Sequence, residues 1–331
     1  MTQCRTFAVM GGTGMQGGAA IAQILLHQSV SHPLRIRILT RRVDCPEARA
    51  LVNRGVTVIK ASQDIGIDDN KEKDNEIRAT FDQFLKGVDC VFALTFTQYD
   101  CPTKEERIGR ILFQAIAESS TVKRVVFSGG ERTGISLLDA KASIEQEARR
   151  ILSGKKEIQC VFLHTSFFME NILIKGSHKR FRQMSDGTYE LSLPLPFDRS
   201  IAMISARDIG HCAACLLLQP DFIPDGPFAV FPIVGDIVSP ETFLQAMGKM
   251  LPEYGFCYRQ TTYSQLQQAM GDAQANLVHQ MDQSYYQKNS DPNLTQKQIH
   301  VTRQIYPDTK DIQTWIQAFA KDILLSSRCT L

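Results

Sequence analysis

Long apolar runs are missing from this chain of 331 residues. None approaches the ~18 residues that a transmembrane helix needs, so the sequence predicts no membrane span. The opening MTQCR lacks the basic stretch and apolar core of a secretory signal, and the first strand pattern follows at once. We therefore expect a protein of the cytosol, or of the nucleus, that does not bind a membrane.

A disulfide framework and a concentrated basic surface are also missing. The nine cysteines are odd in number and widely spaced, which is typical of free thiols in a reducing compartment. No cysteines and histidines have the clustered spacing of a zinc site, so no metal is expected. The net charge is +2, with both signs mixed along the chain, and direct binding to nucleic acid is therefore not expected.

Hairpin signals are absent from the first half, where short apolar segments alternate with helical patterns. Such alternation is typical of βαβ units and predicts a doubly wound parallel sheet, a Rossmann domain, with a smaller α+β lobe towards the C-terminus. We predict a boundary near residue 165, with a lobe over 166–331 and later strands near 200–235 returning to the sheet. The five predicted strands of the first half are TFAVM (6–10), LRIRILT (34–40), VTVIKA (56–61), VDCVFALTF (88–96) and VKRVVFSGG (122–130).

Glycines are concentrated at one place, GGTGMQGG over residues 11–18, between the first strand and the first helix. Gly12, Gly14 and Gly17 match the spacing G-x-G-x-x-G of dinucleotide-binding loops, and Gly11, Gly14 and Gly17 match G-x-x-G-x-x-G, so either Gly11 or Gly12 could make the turn. In such loops one glycine makes the turn, one lets a pyrophosphate approach the backbone, and one allows close packing of the helix. The helix N-terminus then faces the phosphate charge, so the sequence predicts a phosphate cradle.

The end of the second strand carries arginines instead of an acid. Proteins that bind NAD tend to place a carboxylate here, about 20 residues after the glycines, for the ribose 2′-hydroxyl. This chain has Arg41 and Arg42, and a guanidinium matches a 2′-phosphate in geometry and charge. We therefore predict NADP rather than NAD. Asp44 could instead serve a 2′-hydroxyl, and one of the arginines could simply be solvated.

Four motifs, GGTGMQGG, LTRR, GVTVIKASQD and FFMEN, occur in an order and at a spacing that resemble the NmrA-like family. This family is an atypical branch of the short-chain dehydrogenases, and the resemblance covers nearly the whole chain. It implies a Rossmann domain with a small C-terminal lobe and binding of NADP(H). It also implies either an oxidoreductase or a redox sensor that regulates transcription. One departure is TFTQ after the fourth strand, where the family typically has TN.

The resemblance further implies which residues contact the cofactor. They lie in the glycine loop and after the second, third and fourth strands, on the helix after the fifth strand, and in the FFMEN segment. The implied contacts are Gly11, Gly12, Thr13, Gly14, Met15, Gln16, Gly17, Arg41, Arg42, Val43, Asp44, Cys45, Gln63, Asp64, Thr95, Phe96, Thr97, Lys141, Phe168, Met169, Glu170 and Asn171.

Lys141 is the candidate catalytic residue. Typical short-chain dehydrogenases carry Tyr-x-x-x-Lys, in which the tyrosine moves the proton and the lysine holds the nicotinamide ribose. Four residues before Lys141 stands Leu137, so the usual proton donor is missing. Lys141 could anchor the ribose, could act alone as an acid or base if burial perturbs it, or could lie on the surface.

Two further features have competing interpretations. Cys212 and Cys215 have C-x-x-C spacing inside an apolar helical segment, which favours core packing over a redox pair. His164, in VFLHTSFF, is expected near the edge of the pocket and could be a hydrogen-bonded core histidine or a catalytic group.

The leading hypothesis from the sequence is an NADP(H)-dependent oxidoreductase that acts on a small organic molecule. The alternative is a non-catalytic NADP(H) sensor whose redox state is detected by a protein partner such as a transcription factor. A nucleotide-binding scaffold without redox dependence is the third hypothesis. The sequence leaves open whether the protein forms a homodimer.

Overall fold

The computed structural model describes residues 6–29, 33–61, 71–98, 101–173, 180–272, 275–276, 278–280 and 292–327. The chain divides into two compact units. The first comprises residues 1–165 and 207–232, and the second comprises residues 166–206 and 233–331.

The first unit is built on a seven-stranded sheet. Its strands are β1 (Thr6–Met10), β2 (Arg35–Thr40), β3 (Thr57–Lys60), β4 (Cys90–Leu94), β5 (Arg124–Gly129), β6 (Gln159–Thr165) and β11 (Phe228–Ile233). Their spatial order is β11-β6-β5-β4-β1-β2-β3, and the pairs from β6 to β3 are parallel. The predicted doubly wound α/β fold is confirmed.

The order of the strands fixes where a ligand can bind. Chain order reverses beside β1, which pairs with β2 on one side and with β4 on the other. In open parallel sheets, ligands bind outside the carboxyl ends of the strands at such a reversal. The segments that begin at Gly11, Arg41 and Thr95 all start at this edge, because each directly follows one of these three strands.

Helices connect the strands of this sheet. β4 is buried along its whole length, as its continuous apolar sequence predicts for a central strand. Gly55 and Gly87 follow two of the helices with positive φ, a conformation that glycine adopts without strain. The helices are α1 (Met15–Leu26), α2 (Pro46–Asn53), α3 (Lys71–Leu85), α4 (Pro102–Glu118), α5 (Ser136–Leu152) and α6 (Ala206–Leu218).

The second unit contains two three-stranded sheets and further helices. One sheet has the order β12-β10-β7, from strands β12 (Asp236–Val238), β10 (Ile201–Ile204) and β7 (Phe167–Phe168). The other has the order β13-β9-β8, from β13 (Phe256–Gln260), β9 (Tyr189–Leu193) and β8 (Phe181–Gln183). Its described helices include α7 (Pro240–Met250), α8 (Tyr263–Met270), α9 (Pro292–Ile305) and α10 (Ile312–Ser327).

The strands expected near residues 200–235 belong to different units. β11 joins the large sheet beside β6, whereas β10 pairs with β7 and β12. The core of the second unit combines aliphatic and aromatic side chains and includes Trp315, which is fully buried. Within the residues that the structure describes, no helix is both long and apolar enough to cross a membrane.

Candidate cofactor-binding site

The glycine loop closes tightly after β1. Gly11 takes a φ of +61° and donates its backbone N–H to Leu39 O at 2.9 Å, so this glycine makes the turn. A Cβ on Gly12 would lie 2.6 Å from the Ile38 side chain, and one on Gly17 would lie 2.3 Å from Gly11 O. Both glycines are therefore required for close packing of the loop against the sheet and of α1 against the loop.

Gly14 is in a different position from its neighbours. Its φ of −98° suits any residue, and among the described residues a Cβ there would meet only one atom within 4 Å, Gly11 O at 3.2 Å. It is the N-cap of α1 and, being a glycine, makes no side-chain hydrogen bond that would cap this end of the helix. An uncapped helix N-terminus presents backbone N–H groups and a partial positive charge, which is the arrangement that binds phosphate.

The end of β2 is tied to the glycine loop by hydrogen bonds. The Thr13 and Thr40 hydroxyl groups lie 2.8 Å apart, and Arg42 donates from Nη2 to Thr13 O at 3.3 Å. The Arg41 guanidinium lies 4.4 Å from the centre of the Phe96 ring. Together these segments form a cleft of about 600 Å³, lined by Gly11, Thr13, Gly14, Thr40, Arg41, Arg42 and Phe96.

A smaller apolar cavity of about 120 Å³ adjoins the same residues. It extends towards α3 and α4, where Ile77, Phe81 and Ile108 line it. A polar cleft and an apolar cavity that meet at the carboxyl edge of the sheet suit a ligand with a charged part and a flat apolar part.

The segment after the arginines begins α2. Asp44 is exposed, and Cys45 is the N-cap of α2 with its Sγ 3.1 Å from Arg42 O. Val43 is half-buried. Neither Val43, Asp44 nor Cys45 lines the cleft.

Lys141 is held in a network at the end of β4. Its Nζ donates to Glu105 Oε1 at 2.6 Å, to Thr95 O at 3.0 Å and to Thr95 Oγ1 at 3.3 Å. Thr95 also donates its hydroxyl to Glu105 Oε1 at 2.6 Å. Glu105 is completely buried, and the Lys141 side chain is 24% exposed. Lys141 is therefore a fixed, half-buried cation, and the interpretation of a free surface lysine is wrong.

The position of the missing tyrosine is filled by packing. Leu137 lies on α5 and is 6% exposed, so no proton-transferring group stands one turn before Lys141. Near the loop, the Gln16 amide oxygen is buried and makes no hydrogen bond with any residue that the structure describes.

Some of the predicted cofactor contacts do not line this cleft, and others lie outside the residues that the structure describes. Gln63 and Asp64 are outside the described residues. Thr97 is half-buried in the segment that follows Phe96. The four residues from Phe168 to Asn171 belong to the second unit. Their predicted role in cofactor binding stays a prediction.

Within the second unit, two residues of this segment have structural contacts. Met169 is fully buried in the core. Glu170 accepts hydrogen bonds from Ser205 Oγ at 2.7 Å, from Ala206 N at 2.8 Å and from Trp315 Nε1 at 3.3 Å. Within this unit, Glu170 thus receives donors from residues 205–206 and from α10.

His164 is hydrogen-bonded, as one of its two interpretations expected. Its Nε2 lies 2.7 Å from Glu145 Oε2, and its Nδ1 lies 3.7 Å from Glu131 Oε1. Burial alone would lower the pKa of His164, but the interactions with Glu131 and Glu145 outweigh it and raise the pKa to about 9.

Cys212 and Cys215 are buried in the core, where burial raises the pKa of both thiols.

Two residues of the site were missed by the sequence analysis. Glu105 supplies the carboxylate that holds Lys141, 36 residues away in sequence. Gly210, on α6, lies so close to the start of α1 that a Cβ would be 2.0 Å from Gln16 O. The only sequence signal for Glu105 was an acid in an otherwise apolar helical stripe, and Gly210 looked like an ordinary glycine in a helix.

The profile of the NmrA-like family matches residues 3–316. The chain belongs to the NmrA-like family. This membership confirms the resemblance that the motifs indicated.

Curated relatives carry the same family description. The NmrA-like family domain-containing oxidoreductase notA of Aspergillus sp. (strain MF297-2) is 27% identical over 240 residues, which is 66% of this chain and 65% of that protein. An NmrA-like family domain-containing protein of Dictyostelium discoideum is 28% identical over 173 residues, 50% of this chain and 52% of that protein. This chain thus spans less than two thirds of the length of either relative.

Solved structures share the fold over nearly their whole length. NmrA, a negative transcriptional regulator, in complex with NADP has a TM-score of 0.72 at 15% identity, covering 95% of this chain and 94% of that one. The Citrobacter sp. triphenylmethane reductase complexed with NADP(H) has a TM-score of 0.68 at 13% identity, with 95% and 99% covered. The Escherichia coli quinone oxidoreductase QOR2 complexed with NADPH has a TM-score of 0.68 at 15% identity, with the same shares covered. At these identities the likeness concerns the fold.

Proposed function

We propose that this NmrA-like protein is an NADP(H)-dependent oxidoreductase that acts on a small organic molecule. One observation carries the proposal. The cleft over the uncapped start of α1 is open at Gly14, and two arginines from the end of β2 line the same cleft. Relatives named as oxidoreductases and reductases, some of them solved with NADP(H), support it.

The residues present fit such a dinucleotide. The absence of a side chain at Gly14 leaves room for a pyrophosphate beside the N-terminal turn of α1. Arg41 and Arg42 supply the positive charge for a 2′-phosphate, and the adjoining apolar cavity suits a base. The bound cofactor would supply or accept the hydride.

Binding is tested by titration with NADP⁺ and NAD⁺ in a calorimeter. Arg41→Ala should weaken NADP⁺ binding by about tenfold or more and NAD⁺ binding much less, because only NADP⁺ carries the 2′-phosphate. Arg54→Ala, at an exposed arginine that follows α2, is the matched control and should change neither. Equal losses for both dinucleotides in Arg41→Ala would contradict the phosphate preference.

Lys141 is proposed to anchor the nicotinamide ribose. An ammonium has three N–H donors, and the longest contact, 3.3 Å to Thr95 Oγ1, is the one that a ribose hydroxyl would replace. Anchoring fits better than proton donation, because loss of the Nζ proton would leave the buried Glu105 carboxylate without its counter-charge.

Turnover is tested by following NADPH absorbance with a panel of ketones, enones, quinones and imines. Consumption of NADPH that is lost in Lys141→Met and kept in Lys86→Met, at an exposed lysine, would support the enzyme. If the wild type binds NADPH and oxidises it with no member of a broad panel, the oxidoreductase proposal fails while cofactor binding stands.

A second candidate is a non-catalytic redox sensor that acts through a protein partner. The buried Leu137 at the tyrosine position and the fixed Lys141 favour it, since neither offers an obvious proton donor. The structural neighbour NmrA is a negative transcriptional regulator. A difference in partner affinity between the NADP⁺-bound and NADPH-bound protein, without turnover, would support the sensor.

A further inference from the structure

Phe96 is an exposed aromatic residue whose ring contacts a cation. Its side chain is 41% exposed, and the Arg41 guanidinium carbon lies 4.4 Å from the ring centre. The backbone that carries the ring is fixed one residue earlier, because Thr95 O accepts from Lys141 Nζ and the Thr95 hydroxyl donates to Glu105. The ring is therefore attached to an anchored point of the site.

The ring also lies over the glycine turn. The position of a Cβ on Gly11 would be 3.6 Å from Phe96 Cζ, so the tip of the ring reaches the loop itself. Phe96 and Arg41 both line the polar cleft and also the apolar cavity beside it. A ligand that occupied both the polar cleft and the apolar cavity would therefore contact Phe96 and Arg41.

The contact between the two side chains is compatible with phosphate binding. A guanidinium contacts an aromatic ring with its flat face, whereas it donates hydrogen bonds in its own plane. An arginine held by its face can therefore still direct its edge towards an anion. A long side chain that is already ordered also loses less conformational entropy when the anion binds.

We propose that Phe96 is a specificity-determining residue that orients Arg41 for the 2′-phosphate of a phosphorylated dinucleotide. The inference deepens the proposed function and rests on it. Phe96 acts through Arg41 and so contributes to binding of NADP(H) more than to binding of NAD(H). A ring that served only as a wall for the base would contribute equally to both.

The test compares dissociation constants for NADP⁺ and NAD⁺ in three variants. Phe96→Leu keeps an apolar wall but removes the aromatic face, and should reduce the preference for NADP⁺ by about three- to tenfold. Phe96→Tyr keeps the face and should hold the preference within about twofold of wild type. Phe222→Leu, at a phenylalanine of the same unit that is 44% exposed, is the matched control and should change nothing.

A double-mutant cycle separates orientation from other effects. In the Arg41→Ala background, Phe96→Leu should no longer change the ratio of the two dissociation constants, because the residue on which Phe96 acts is gone. Equal weakening of NADP⁺ and NAD⁺ binding by Phe96→Leu would overturn the inference. Tighter binding of both dinucleotides would also overturn it, because it would mean that the Phe96–Arg41 pair obstructs the cleft. If wild type binds neither dinucleotide, the proposed function itself fails; a preference for NADP⁺ that survives Phe96→Leu overturns this inference alone.

Discussion

Lys141 Nζ lies 2.6 Å from Glu105 Oε1, and this ion pair joins α5 to α4 beside the end of β4. Glu105 has no solvent exposure, and its second oxygen, Oε2, is buried without a hydrogen bond to any described residue. The carboxylate is therefore committed to Lys141 and Thr95. Such a pair holds the lysine in one place. The desolvation of the two charges reduces the stability of the folded first unit.

Glu105→Gln should lower the free energy of unfolding by about 2–4 kcal/mol, because it leaves the half-buried Lys141 ammonium without its counter-charge. Urea denaturation followed by circular dichroism measures the change. The matched control is Glu147→Gln, which breaks a more exposed pair with Arg150 of similar length, 2.7 Å, and should lower the stability much less. The double variant Glu105→Gln with Lys141→Met should be more stable than Glu105→Gln alone, and failure to recover would contradict the charge argument.

Two glycines of the loop should fail in different ways when each is replaced by alanine. Gly17→Ala places a Cβ 2.3 Å from a backbone oxygen that cannot move aside, so we expect a loss of about 1–3 kcal/mol of stability. Gly14→Ala should remain nearly as stable but lose at least about tenfold in NADP⁺ affinity, because the new methyl group enters the space for the pyrophosphate. Thermal melting and calorimetric titration measure the two effects. Gly154→Ala is the control, because a Cβ there meets no atom of the described residues within 4 Å. The same behaviour in both loop variants would disprove the distinction.

Gly210→Ala should disturb a site that lies almost 200 residues earlier in sequence. A Cβ at this position would be 2.0 Å from Gln16 O, in the first turn of α1, and 2.9 Å from Ala20 N. Because the helix must move away, we expect both a lower melting temperature and weaker NADP⁺ binding. Amide hydrogen exchange should show faster exchange at the start of α1 in this variant, and unchanged exchange there would refute the prediction.

The His164 pair with Glu145 should make stability depend on pH above neutrality. The pKa of His164 is raised from 6.5 to about 9 in the folded protein, so the folded state holds a proton that the unfolded state has released. The stabilisation is complete below about pH 6.5 and is lost as the pH rises through about 9. It amounts to roughly 2–3 kcal/mol for a group whose side chain is 18% exposed.

Denaturation curves at several pH values between those limits measure this slope. His164→Gln should flatten it, while His27→Gln, at an exposed histidine, should leave it as in wild type. The Glu145 carboxylate also faces Arg149, and its pKa, which burial would raise, is lowered by His164 and Arg149. Glu145 therefore titrates at acid pH and does not contribute to the slope above neutrality. If the dependence of stability on pH persists in His164→Gln, another group causes it and the prediction is wrong.

Local patterns were sufficient for the fold and for part of the site. Alternating strands and helices predicted the parallel sheet, and the spacing of Gly12, Gly14 and Gly17 predicted the loop over α1. The choice between Gly11 and Gly12 needed the structure, in which Gly11 makes the turn while Gly12 packs on β2. Spacing along the chain does not report which neighbours a missing Cβ would touch.

The sequence by itself determined the Rossmann architecture, the glycine loop before α1 and the arginines after β2, since each depends on residues that are close along the chain. Only the tertiary structure decided that Glu105 fixes Lys141, that Gly210 admits α6 against α1, and that Phe96 meets Arg41. These contacts join separate elements of the sheet domain. They form because parallel strands bring their carboxyl ends to one edge of the sheet. The sequence pattern within one helix or strand does not show which other element packs against it.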